Sequence, residues 1–185
     1  MNKFSLFFIL ISFLACNAPD VKIDGESYYF DTKIFAEKET EKLLNKGISF
    51  DKSIQLREKT EKITQIKGTK ENLERELLII KEANINKASF LGKYTADTLF
   101  LTHPITEVQT ELLVYETDDS KMTTKSVEYS KGDFLKIKMA NSNFMSSYEK
   151  EIYYKVGEFI EMKGWQKSLF EDTLFSSSLV EFTFE

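Results

Sequence analysis

The sequence predicts an α+β domain: two N-terminal helices and a hairpin, followed by a curved antiparallel sheet of about six or seven strands. Three observations lead there. Two segments with apolar stripes and capping signals precede Ser89. From Ser89 to the end, strand-like alternation dominates. The spacers between these runs are short: "THP", "TDDSK", "SKGD" and "GE". A parallel return needs a crossover of about a dozen residues, so short links demand antiparallel pairing.

The elements follow in order. "SYYF" (Ser27 to Phe30) is a short aromatic lead-in where the folded domain begins. In "DTKIFAEKETEKLLNKG", Asp31 is suited to cap a helix. Lys42 and Lys46 suit its negative end, and Gly47 suits the position just past it. "ISFDKSIQLREKTEKITQIKG" alternates around Ser53 to Arg57 and again around Lys62 to Ile66, which predicts a hairpin. "TKENLERELLIIKEANIN" is a helix by the same signs: Thr69 as cap, Glu71 and Glu74 early, and Leu73, Leu77 and Ile80 on one face. Seven strand candidates come next: Phe90 to Phe100, Glu107 to Glu116, Thr124 to Tyr129, Phe134 to Met139, Tyr148 to Val156, Phe159 to Trp165, and Leu174 to Phe184. The serine run Ser176-Ser177-Ser178 reads as an exposed edge or loop.

Composition bounds the function. The chain has 185 residues, 42% of them apolar, enough for one domain with a true core. Its net charge is −5 with both signs interspersed, which leaves no basic face for nucleic acid. Arg57 and Arg75 are the only arginines, so bidentate phosphate clamps are scarce.

The first fifteen residues differ from the rest. Lys3 supplies a positive start, and Phe4 to Leu14 is apolar apart from Ser5 and Ser12. Ala15 and the chain's single cysteine, Cys16, follow. This run is shorter than the roughly 20 residues a spanning helix needs and has the length of a signal-peptide core. "FLAC" (Phe13 to Cys16) resembles the lipobox of bacterial lipoproteins, with Phe13 where that family prefers leucine. The resemblance implies cleavage between Ala15 and Cys16 and a covalent lipid on Cys16. Residues 1–15 would then be removed, 16–26 would be a lipidated cysteine with a flexible tether, and 27–185 a single domain. It also implies a cell-envelope location. Asn17 lacks the acidic retention signal of the enterobacterial type, which points to the outer membrane. Separately, the order helix, hairpin, helix ending "NINK" (Asn84 to Lys87) and strand-rich half resembles small lipoproteins of Bacteroidota. That resemblance implies no activity.

No chemistry-bearing motif stands out. GxGxxG, GxxxxGK and GxSxG are all absent. The chain has one histidine, His103, which stands before Pro104 without an evident partner. Metal sites of the usual kind lack their ligands. Asp118-Asp119 reads as a solvated turn. The expectation is therefore a non-enzymatic protein with no catalytic residue, no metal and no cofactor beyond the lipid on Cys16. Its domain binds an envelope protein partner or serves as a structural accessory. The alternative is a carrier or sensor of an acyl chain or other apolar ligand, with Tyr154, Phe159, Trp165 and Phe182 as the lining. In outline that alternative resembles the periplasmic lipoprotein carriers and receptors of the LolA and LolB kind.

Overall fold

The computed structural model describes residues 28–102, 109–169 and 172–184. The leader, Ala15, Cys16, the tether, His103 and Phe170 lie outside the described residues.

Helix α1 spans Thr32–Asn45 and α2 spans Lys70–Glu82. Local chemistry sets their ends. The Asp31 carboxylate accepts the Ile34 amide at 2.9 Å, and the Thr69 hydroxyl accepts the Asn72 amide at 3.3 Å. Gly47 follows α1 with a φ of 62°, the left-handed conformation that closes a helix most easily at glycine.

Nine strands follow the chain: β1 Ile48–Leu56, β2 Lys59–Lys67, β3 Thr95–Thr102, β4 Gln109–Glu116 and β5 Thr124–Ser130. Then come β6 Phe134–Ser142, β7 Ser146–Lys155, β8 Phe159–Ser168 and β9 Leu174–Phe184. They form one antiparallel sheet in the order β2-β1-β9-β8-β7-β6-β5-β4-β3. This corrects the expected fold. The sheet has nine strands rather than six or seven, because the early hairpin is not a separate unit. Strand β1 pairs with β9 along its whole length, from Ile48 opposite Phe184 to Leu56 opposite Ser176. Alternation marks strands but carries no information about distant partners. The strands also run longer than their alternating cores. β1 starts at Ile48, and the hairpin turns at Arg57-Glu58, between Leu56 and Lys59. β3 begins at Thr95, and Phe90 belongs to a short 3-10 turn, Ala88–Phe90.

The helices cover one face of the sheet. Leu43 of α1 and Leu73, Leu77 and Ile80 of α2 are buried with Phe50, Leu135, Ile137, Ile152, Ile160 and Val180. Every residue of this core lies between Tyr29 and Phe182, so a chain beginning at Asn17 carries all of it. Two buried carboxylates tie helices to sheet. Glu76 of α2 accepts two hydrogen bonds from Lys52 of β1, at 2.7 and 2.8 Å. Glu39 of α1 accepts the Tyr154 hydroxyl of β7 at 2.8 Å and pairs with Lys42 at 2.5 Å. The "NINK" segment is a clamp. Asn86 Oδ1 accepts the Tyr28 and Tyr29 amides, and its Nδ2 donates to Asp31. The end of α2 thereby holds the start of α1.

The outer face is polar in its middle. Lys136 stands opposite Glu128, and Lys138 opposite Glu151, at 3.7 and 3.9 Å. The two edges differ. β2 carries Lys59, Lys62 and Lys67 and an irregularity where Gln65 takes a φ of 55°. Such charges and bulges discourage a further strand. β3 carries no lysine and exposes Leu99, Phe100 and Leu101.

Candidate functional site

A hollow opens on the helix-covered face, beyond the point where α2 stops shielding the sheet. Its volume is about 240 Å³. Strand register explains it. Ile54, Ser178, Met162 and Ile152 stand in one row across β1, β9, β8 and β7. Leu56, Ser176, Gly164 and Lys150 form the next row. Large side chains flank small ones in both rows, and the small ones leave the space. Ile79 of α2 borders it.

Two details show how this floor is built. A Cβ on Gly164 would lie 3.0 Å from Ser176 Oγ, closer than side chains normally approach, so a larger residue there would press on that hydroxyl. Ser178 Oγ is buried and has no hydrogen-bond partner among the described residues. A hydroxyl in that state costs about 1–3 kcal/mol, and a serine there forgoes the apolar contacts a larger residue would make. The floor is apolar, through Ile54, Ile152 and Met162, and Lys150 stands at its rim.

The serine run thus belongs to a central strand, not to an edge or loop: β9 lies between β1 and β8. Serine is uncommon in such a place because it fills little volume, and that is the signal that could have located the hollow.

The four aromatic residues expected to line a cavity divide between the two faces. Tyr154 and Phe182 lie on the helix side, with ring centroids 6.5 Å apart, and are part of the solid core. Phe159 is on the outer face beside Tyr153, at 5.8 Å, and Trp165 is there beside Phe175, at 5.7 Å. Phe159 and Trp165 alternate with Ile160, Met162 and Gly164, which face the helices. On β8 the expected lining residues, Phe159 and Trp165, have the parity that points away from the hollow.

The buried polar groups have structural duties. Burial pushes the Tyr154 hydroxyl far above the ordinary tyrosine range, and the Glu39 charge adds to this. A tyrosine held neutral beside a carboxylate is a hydrogen-bond donor, not a base. Glu39 also borders a second concavity of about 270 Å³, flanked by Phe35, Lys42 and Tyr129. Its oxygens are already held by Tyr154 and Lys42. Asp119 sits in its turn as expected. The Lys121 amide, then Lys93, hold its carboxyl below the usual range. Among the described residues no group of three His, Cys, Asp or Glu could hold a metal ion. Among them, no helix is long and apolar enough to cross a membrane.

Tyr94 gives a pH prediction. Its hydroxyl donates to the Thr124 carbonyl at 2.8 Å, and burial, then Tyr29 and Asp119, pushes its pKa up to about 12. An unfolded tyrosine ionises near pH 10. The contribution of Tyr94 is therefore complete below about pH 10 and is lost as pH rises towards 12, by at most about 1.4 kcal/mol per unit. Denaturation midpoints measured from pH 8 to 12 should fall in that window, and Tyr94→Phe should flatten the fall.

No family model matches the chain, and no curated protein does. Among solved structures, the S-type phycobiliprotein lyase CPES from Guillardia theta aligns over 82% of this chain and 97% of its own. The identity is 7% and the TM-score 0.26, too low for that likeness to bear on fold or function.

Proposed function

We propose that this protein is a lipid-anchored envelope protein whose domain binds an apolar ligand and performs no catalysis. The hollow beside Ile79 is the observation that supports it: an apolar floor of Ile54, Ile152 and Met162 with Lys150 at its rim. Binding sites for small molecules are concave, mostly apolar and largely pre-formed. At about 240 Å³, with liquid water at about 30 Å³ per molecule, the space equals roughly eight waters. That suits a short alkyl chain or the end of a longer one. Anchoring through Cys16 would hold the domain beside a bilayer, where such chains are abundant. The partner-binding reading has its own observation in the β3 edge, which carries no lysine and exposes Leu99, Phe100 and Leu101. It ranks second because an edge names no partner.

Filling the hollow tests the proposal. A chain beginning at Asn17 should bind the neutral dye phenylnaphthylamine saturably. Ser178→Leu should weaken that binding at least tenfold while leaving the domain folded by circular dichroism. Stability should hold or rise, because the orphaned hydroxyl is removed. Absent saturable binding, or binding unchanged in the folded variant, would overturn the ligand reading.

A further inference from the structure

We infer that the ligand of the hollow is a single-chain alkyl carboxylate, with Lys150 holding the headgroup. This rests on the hollow being a ligand site. Lys150 is on the same face as Ile152, two residues earlier on β7, and stands opposite Gly164 at the rim. Within the described structure its charge meets an aromatic ring and no carboxylate. Among the described residues no carboxylate is within ion-pair distance of it, and its ammonium lies 5.5 Å from the centre of the Tyr148 ring. Neighbouring lysines are different. Lys138 is paired with Glu151 and Lys163 with Glu161. Alternation along β7 explains the contrast. Glu149 and Glu151 point to the outer face, so Lys150 reaches the helix side without its sequence neighbours.

The arrangement matches an amphiphile with one negative charge. Ile54, Ile79, Ile152 and Met162 take the chain, and Lys150 meets the charged end at the mouth. A lysine is a point charge rather than a bidentate fork, and one lysine balances a monoanion. Phosphate, with a charge near two, is met more often by arginine or several cations. Ser176, at the same rim, adds a hydroxyl that can donate to the carboxylate.

Isothermal titration of the chain beginning at Asn17 with octanoate and with 1-octanol tests this. Lys150 is exposed, so Lys150→Met leaves the core intact. The variant should weaken octanoate about fivefold in low salt, the upper range for an exposed ion pair. It should leave octanol within about twofold. Octanoate affinity should also fall as salt rises, and octanol affinity should not. If the variant affects both ligands equally, or neither, the carboxylate assignment fails and the hollow stands. If neither ligand binds the unaltered chain, the assignment and the ligand reading fail together.

Discussion

Replacing Cys16 with serine should abolish lipid attachment completely. Cys16 is the chain's only thiol, so no other residue can take a thioether-linked lipid. Anchoring of this kind is strong only with more than one chain. At about 0.8 kcal/mol per buried methylene, two long chains contribute on the order of 20 kcal/mol, whereas a single one binds reversibly. No described helix offers a substitute span. The full chain expressed in a bacterial host with labelled palmitate should carry label, and Cys16→Ser should carry none. Residues 1–15 should stay attached in the variant, visible as a larger intact mass. Equal label in both would refute the lipid assignment, and the ligand reading would then lose its bilayer setting.

The second large effect concerns Tyr154. Tyr154→Ala should destabilise the domain by about 3–5 kcal/mol, the range for truncating a buried aromatic. Tyr154 is fully buried, with Phe35 at 5.8 Å and Phe182 at 6.5 Å between ring centres. The truncation removes these contacts and strands the Glu39 carboxylate, itself only 3% exposed. Tyr154→Phe separates the two causes. It keeps the ring and deletes the hydroxyl's hydrogen bonds, the 2.8 Å one to Glu39 and the 3.3 Å one from the Gly157 amide, so about 1–3 kcal/mol should be lost. Urea midpoints of the chain beginning at Asn17 measure both. A phenylalanine variant as stable as the parent would mean that Lys42 alone satisfies Glu39.

Lys52 and Glu76 illustrate why part of this was hidden from the sequence. Both are charged, and both are used inward, paired with each other. Lys52 stands in the same cross-strand row as Val180, Ile160 and Tyr154. Only the pairing of β1 with β9 puts it there. The same pairing puts Ser178 between Ile54 and Met162 and so opens the hollow. Serines in a strand look like an edge until their neighbours are known. Phe159 and Trp165 show the related difficulty of faces. Alternation says that they share a side, but which side meets the helices depends on the whole sheet.

What the sequence determined by itself is what nearby residues decide. Asp31, Thr69 and Gly47 mark the helix ends because a cap is a hydrogen bond, or a backbone angle, within a few residues. Strict alternation in "FLKIKM" marks β6 because side chains there change face at every step. The leader and the lone Cys16 carry an expectation about attachment that needs no fold at all. Tertiary structure decided the rest: nine strands in one sheet, the inward use of Lys52 and Glu76, and a hollow whose lining includes Gly164, Ser176 and Ser178. These depend on pairing between β1 and β9, at opposite ends of the domain. Such contacts form for the burial they complete together, and no short stretch of chain encodes that burial.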